Sequence, residues 1–160
     1  PYNIATEITF RLFDARHCFR RMVLTTQLEV ARRYAARVNA SDYGVLAVTS
    51  QMWAQVKLEM KIPAGAFYPR PKVDSGVVRF EMRHEPAAHI NSPALYSRIA
   101  HGAFSQRRKM LLNSLSSYPP LGLDKRKTAA WLEQAGIDPK KRAQNLTVED
   151  FARLENTFPE

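Results

Sequence analysis

The sequence predicts an α/β fold in which the C-terminal half of a doubly wound sheet is followed by a small all-helical domain. Strand patterns and helical spacings alternate through the first 84 residues, and only helical spacings follow residue 91. At 160 residues, 45% of them hydrophobic, the chain is long enough to bury a good core. The predicted organisation is therefore 1–84 for the sheet, 85–91 for a linker and 92–160 for the helices.

The first part of the chain is predicted to form a helix, a strand and two further helices. Ile8, Leu12 and Phe13 recur at helical spacing and predict a first helix. The short apolar run Met22–Leu24 is typical of a buried strand in a parallel sheet. Two more helices are predicted over Glu29–Val38 and Tyr43–Trp53.

Two alternating stretches close the predicted sheet. Apolar and charged residues alternate over Val56–Ile62 and again over Val78–Met82, the period-2 pattern of a strand with one solvated face. The loop from Pro63 to Ser75 joins them. The order of a strand, helices and a closing pair of strands corresponds to the second half of a doubly wound sheet. The sheet predicted from these residues is therefore incomplete.

Start and stop signals divide the helical region. Ser92-Pro93 predicts an N-cap with proline at the first helical position. A break is expected near Ser105, because an unbroken helix would place Arg107 on its buried stripe. Further signals are Pro119-Pro120 as a stop, Gly136 as a C-terminal stop and Thr147–Asp150 as a capping box.

The net charge of the chain favours a polyanionic partner. Twenty-four Lys and Arg against fifteen Asp and Glu give a formal charge of +9, and nucleic acid is the leading candidate. Charge alone leaves an anionic membrane surface open, but no apolar run approaches the roughly 20 residues that span a bilayer. The single cysteine, Cys18, excludes an internal disulfide and a cysteine-based zinc site, and it fits a cytoplasmic protein.

Several short segments carry a specific resemblance. Phe67–Ser75 reads Phe-Tyr-Pro-Arg-Pro-Lys-Val-Asp-Ser, and Pro1-Tyr2-Asn3 resembles the end of an Asn-Leu-Pro-Tyr motif. Gln27–Ala31, Tyr43-Gly44 and Phe104–Lys109 with Asn113 extend the match in order along almost the whole chain. The chain thereby resembles the small-subunit rRNA adenine N6,N6-dimethyltransferases, in which a Rossmann-like methyltransferase sheet precedes a helical rRNA-binding domain.

The resemblance implies how a target adenine is held. An exocyclic adenine amine is a poor nucleophile, so the enzyme must extract the base, hold it flat and accept hydrogen bonds from the amine. By resemblance, the carbonyl of Pro1 accepts from N6, Tyr2 stacks on the base and Phe67 closes on it as the second aromatic. The Asn-Leu pair of the motif is absent, which removes one acceptor.

The resemblance also implies the cofactor and the partner. The family uses S-adenosylmethionine and dimethylates adjacent adenines in a hairpin loop near the 3′ end of small-subunit rRNA. Its cofactor motifs are absent from these residues, so this chain alone is expected to be inactive. The expected partners are small-subunit rRNA and the pre-ribosomal small subunit, and the protein is expected to be monomeric.

Candidate RNA contacts fall in the signature loop and in three basic clusters of the helical region. Arg70 and Lys72 would contact phosphates beside the flipped nucleotide, while Arg107, Arg108 and Lys109 would bind structured rRNA. Lys125–Lys127 and Lys140–Arg142 are weaker candidates, with Arg142 the preferred residue of the last cluster. The alternative for each cluster is that its charges only form a solvated helix face and do not contact RNA.

Three alternatives stay open on the sequence. The first is a large-subunit rRNA adenine methyltransferase of the Erm type, which shares the aromatic pair and the fold. Mitochondrial transcription factors descended from the same family are the second. The third is an RNA-binding or assembly module that does not methylate. The four scattered histidines fit neither a metal site nor a hydrolase, and we expect them to be exposed.

Overall fold

The computed structural model describes residues 2–159, with side chains from residue 4 onward, as an α/β unit joined to a helical unit. Within that range the strands are β1 (Arg21–Gln27), β2 (Ala54–Ile62) and β3 (Ser75–Met82). The helices are α1 (Tyr2–Asp14), α2 (Leu28–Ala35), α3 (Val45–Trp53), α4 (Pro93–Phe104), α5 (Leu111–Ser116), α6 (Lys125–Gln134) and α7 (Val148–Asn156). The predicted fold class is confirmed.

The sheet has the order β1-β3-β2, and β3 is antiparallel to both neighbours. The strands β1 and β2 therefore run in the same direction, and β3 lies between them. The prediction that Met22–Leu24 belongs to a buried strand of a parallel sheet is met only at Met22, which is buried, and the pairing found within the described residues is antiparallel. The strand pairs only with β3 among the described residues, and Val23 is 54% exposed on the open face of the sheet.

Helix α2 lies very close to β3. A Cβ atom built at Gly76 would stand 2.5 Å from Cβ of Ala31, which is itself fully buried. The first core forms around this contact, with Phe80 in edge-to-face contact with Phe13 and Tyr34. Only glycine fits at position 76 without displacing the helix.

A second hydrophobic core is formed by side chains of α3 and of the helical region. Side chains of α3, including Val48 and Met52, are buried together with Trp131, Leu132 and Phe151. Two buried tyrosines fix this arrangement: Tyr43 donates a hydrogen bond to the carbonyl of Leu146 at 3.0 Å, and Tyr96 donates to that of Val48 at 3.2 Å. Burial raises the pKa of both hydroxyls, so both stay protonated donors.

The segment predicted as a linker is tied down at both ends. The amide of Ala87 donates to the carbonyl of Met52 at 2.8 Å. The buried carboxylate of Glu155 accepts the amides of Asn91 and Ser92 at 3.0 and 2.7 Å. Since α3 also contributes to the helical core, the division into 1–84, 85–91 and 92–160 stays a prediction.

The predicted helix signals are found where expected. The Ser92 hydroxyl accepts from the amide of Leu95, Thr147 and Asp150 form a capping box, and Gly136 adopts a φ of 67° after α6. Helix α4 ends at Phe104, which confirms the break near Ser105. The new helix begins later than expected, at Leu111, so Arg107 lies in an exposed turn.

The close approach at Gly76 gives a stability prediction. In Gly76→Ala the added methyl group overlaps Ala31, and we expect the free energy of unfolding to fall by about 1–3 kcal/mol, the usual cost of overpacking a core. Urea titration monitored by circular dichroism measures the change.

Gly65→Ala is the matched control, because a Cβ at Gly65 meets nothing within 4 Å. Its stability should be unchanged or raised by up to about 1 kcal/mol through the unfolded state. An equal loss of unfolding free energy in both variants would show that the contact with α2 is not the cause of the loss in Gly76→Ala.

Candidate nucleic-acid interface

The loop between β2 and β3 carries the signature residues. A short 3-10 turn, Ala64–Ala66, opens the loop, and the amide of Phe67 donates to the carbonyl of Ala64 at 3.3 Å. The Phe67 side chain is half-buried, whereas Tyr68 beside it is fully exposed. Pro1 and the side chain of Tyr2 lie outside the described residues, so the predicted aromatic pair is described at Phe67 alone.

Asp74 closes this loop. Its carboxylate pairs with Nζ of Lys61 at 2.8 Å and accepts the amide of Ala64 at 2.9 Å. Its carbonyl accepts the amide of Leu28, also at 2.9 Å, which fixes the loop to the start of α2. The hydrogen bond from Lys61, followed by that from Ala64, lowers the pKa of the Asp74 carboxyl. The aspartate of the signature thus has a structural role that the sequence motif alone does not reveal.

Arg70 and Lys72 lie in one cleft with a third cation that the sequence analysis missed. The cleft, of about 430 Å³, lies between the loop and α2, and Arg32 also lines it. Its two acids are engaged, Glu29 with Arg33 and Asp74 with Lys61. No ion pair of the described residues involves Arg32, Arg70 or Lys72, so three positive charges remain for an anionic ligand.

Arg107 differs from its two neighbours in the basic turn after α4. Its Nη2 donates to the carbonyl of Ser41 at 2.5 Å, which connects the helical region to the segment before α3. Arg108 and Lys109 are exposed and make no side-chain hydrogen bond or ion pair among the described residues. The structure therefore separates a bridging arginine from two available cations.

Backbone hydrogen bonds bring two of the predicted basic clusters together. The amide of Leu111 donates to the carbonyl of Lys141 at 2.7 Å, and that of Leu112 donates to Pro139 at 3.2 Å. The turn at 107–109 and the segment 140–142 are thereby adjacent, and we call their exposed cations the helical basic surface: Arg108, Lys109, Lys140, Lys141 and Arg142. Lys125–Lys127 form the first turn of α6 and share no such bond with it.

The described residues show neither a metal site nor a membrane span. No group of three or more His, Cys, Asp or Glu in residues 2–159 could hold a metal ion. Within the same range, no helix is both long and apolar enough to cross a bilayer. All four histidines are exposed, as predicted.

Crystal structures of other proteins share this fold. A crystal structure of a dimethyladenosine transferase from Plasmodium falciparum superposes with a TM-score of 0.73 at 24% identity, over 96% of this chain and 62% of that one. The crystal structure of the 23S rRNA methyltransferase ErmE gives 0.63 at 26% identity, over 99% of this chain and 62% of that one. The fold is that of the Rossmann-like rRNA methyltransferases.

The family follows from the sequence matches. The profile of the family described as ribosomal RNA adenine dimethylase matches residues 1–160, and the chain belongs to that family. It is 41% identical over 154 residues to ribosomal RNA small subunit methyltransferase A of Syntrophotalea carbinolica, covering 96% of this chain and 57% of the relative. The protein of the same name from Myxococcus xanthus is 41% identical over 158 residues, covering 99% and 56%. The chain thus spans little more than half the length of these relatives.

The role of Asp74 in closing the loop is testable by hydrogen exchange. Asp74→Ala removes the acceptor of the Ala64 amide, and we expect this amide to exchange faster, whereas Asp74→Asn keeps an acceptor and should exchange more slowly than Asp74→Ala. Because the folded pKa of Asp74 is lowered, its contribution is present at neutral pH and is lost as pH falls through that lowered value. Equal exchange in Asp74→Ala and the unmodified chain would contradict this role.

Proposed function

We propose that the whole protein to which these residues belong dimethylates N6 of two adjacent adenines in a 3′-terminal hairpin loop of small-subunit rRNA, and that this chain supplies the contacts to the target base and the surrounding rRNA. The observation that carries the proposal is the loop of Phe67, fixed by Asp74 beside a cleft with three unpaired cations. Membership of the rRNA adenine dimethylase family supports the reaction class.

Each part of the loop has a place in this proposal. Phe67 stacks on the extruded adenine, opposite Tyr2, while the carbonyl of Pro1 accepts a hydrogen bond from its amine. Arg32, Arg70 and Lys72 neutralise the phosphates that flank the extruded nucleotide, because guanidinium and ammonium groups pair with phosphate oxygens. Stacking orients the base, and the cations hold the backbone from which it was turned.

S-adenosylmethionine supplies the methyl groups in the proposed reaction of the whole protein. Within the described residues, β1 passes directly from Gln27 into α2 at Leu28 without the glycine-rich turn that holds such cofactors in dinucleotide-type folds. The two glycines with positive φ, Gly122 and Gly136, both lie in the helical region. The cofactor site is therefore assigned to no residue of this chain, and methyl transfer by the chain alone is not expected.

The helical basic surface anchors structured rRNA in this proposal. Its cations come from two segments joined through backbone hydrogen bonds, so their spacing is fixed before any RNA binds. Arg107 contributes mainly as a bridge, because one of its N–H groups is already bound to Ser41. Phosphate contacts of this kind position a nucleic acid without reading its sequence.

If Phe67 stacks on the target base, its removal should lower the methylation rate but not the affinity for rRNA. In the whole protein, Phe67→Ala should lower methylation of undermethylated small subunits by roughly 5- to 150-fold, corresponding to about 1–3 kcal/mol of base stacking. Affinity for the subunit should hardly change, since it is spread over many phosphates. Incorporation of labelled methyl groups and filter binding measure the two quantities.

Tyr68→Ala is the control, because Tyr68 is the exposed neighbouring aromatic. It should leave methylation close to the unmodified level. Parallel losses of rate and affinity in Phe67→Ala would instead identify Phe67 as a structural residue of the loop.

The helical basic surface is tested by the salt dependence of RNA binding. The triple variant Arg108→Gln, Lys109→Gln and Arg142→Gln should bind small-subunit rRNA more weakly. The slope of log affinity against log salt concentration should become shallower by about 0.9 per lost contact with a duplex phosphate.

Neutralising Lys125, Arg126 and Lys127 to Gln removes the same charge elsewhere and serves as the matched control. If the control lowers the slope and the triple variant does not, RNA docks at α6 and not at the helical basic surface. Circular dichroism on the same samples verifies folding.

The large-subunit and non-catalytic alternatives are distinguished by mapping the product. The whole protein, incubated with S-adenosylmethionine and separated small and large subunits, should introduce dimethyladenosine only into small-subunit rRNA. Modification confined to large-subunit rRNA would favour the Erm-type alternative. Binding of small-subunit rRNA without modification would favour the assembly module.

A further inference from the structure

The end of the sheet opposite the loop between β2 and β3 carries a cleft that the proposed function does not use. It lies where β1 begins and β3 ends, and it has a volume of about 560 Å³. Its lining includes Arg16, His17, Cys18, Arg20, Arg83 and His84. Since β1 spans seven residues, at about 3.3 Å per residue this cleft is roughly 20 Å from the loop end of the strand.

The charges in this cleft are not balanced by neighbouring acids. No ion pair among residues 2–159 involves Arg16, Arg20 or Arg83. The one acid in the lining, Glu81, is engaged by Arg79 at 2.5 Å and Arg21 at 2.6 Å. Glu85 adjoins the cleft, and Asp14, two residues before Arg16, lies in the neighbouring cleft beside Trp53. Three guanidinium groups therefore have at most two carboxylates nearby that make no ion pair among the described residues.

Two of the arginines are held in place by α3, and the third is not. Arg16 stands 3.9 Å over the ring of Trp53 and donates to the carbonyl of Phe13, while Arg83 donates to that of Gln51. Each guanidinium has five N–H donors, so several remain for a ligand. Arg20 is exposed and makes no side-chain hydrogen bond within the described range, so no structural partner accounts for its charge.

We propose that this cleft binds the phosphate backbone of a second rRNA segment, remote from the one that carries the target adenines; the inference rests on the RNA binding proposed above. Arginine forks match phosphate oxygens bidentately, and His17 and His84 in the lining add hydrogen-bonding groups. With cations at both ends of the sheet, the α/β unit contacts rRNA at two places about 20 Å apart.

Cys18 makes the occupancy of the cleft directly measurable. It is exposed and is the single cysteine in the sequence, so alkylation by a neutral maleimide reports on this cleft alone. With the 160-residue chain, saturating small-subunit rRNA should slow alkylation several-fold, while filter binding on the same samples records total RNA binding. The double variant Arg20→Gln and Arg83→Gln should lose most of this protection, and its salt slope should fall by about 0.9 per lost phosphate contact.

The control variant, Arg11→Gln with Arg98→Gln, removes the same charge from exposed positions outside the cleft and should keep the protection. RNA that binds the chain but leaves Cys18 alkylation unchanged would overturn this inference and leave the proposed function standing. Absence of RNA binding altogether would overturn both. Equal protection in the double variant and the unmodified chain would also overturn it, because shielding would then not depend on the arginines. Arg20 and Arg83 are exposed, so both variants are expected to fold, and thermal unfolding verifies this.

Discussion

The close contact between α2 and β3 at Gly76 determines how the side of the molecule that carries the Phe67 loop is arranged. Because Gly76 has no side chain, Ala31 of α2 packs directly against β3. This places the first amide of α2, that of Leu28, where it donates to the carbonyl of Asp74. That hydrogen bond joins the start of the helix to the end of the signature loop. The same placement brings Arg32 into the cleft with Arg70 and Lys72. A larger residue at position 76 would separate the elements on which the proposed site depends.

The features that the sequence predicted correctly are local ones. The strands β2 and β3, the serine cap of α4 and the capping box of α7 are each encoded within a few neighbouring residues. The alternation within β2 was predicted less well, because a register shift between Leu58 and Met60 leaves Met60 56% exposed. The run Met22–Leu24 does form a strand, but its pairing and the exposure of Val23 were not predicted, because they depend on a distant partner. The hairpin from β2 returns as β3 between β1 and β2, and no pattern within the run indicates this.

The candidate site shows the same division between local and distant information. Phe67, Arg70 and Lys72 belong to one contiguous motif and could be identified from it. Arg32 could not, because its relation to them exists only once α2 packs on the sheet. The union of the turn at 107–109 with the segment 140–142 depends on backbone hydrogen bonds, which side-chain patterns do not encode. For Pro1 and the side chain of Tyr2, which the structure does not describe, the predicted roles stay predictions.

Helix α3 belongs to both hydrophobic cores, and this has a mechanical consequence. Trp53 packs against both cores, Leu46 against the sheet, and Val48 and Met52 are buried with the helical region. Rotating one unit against the other would expose part of each core, so α3 acts as a rigid spacer whose nine residues span about 13 Å. Under the proposed function, this rigidity fixes the spacing between the Phe67 loop and the helical basic surface, so an RNA whose target base and docking segment were spaced differently would engage only one of the two.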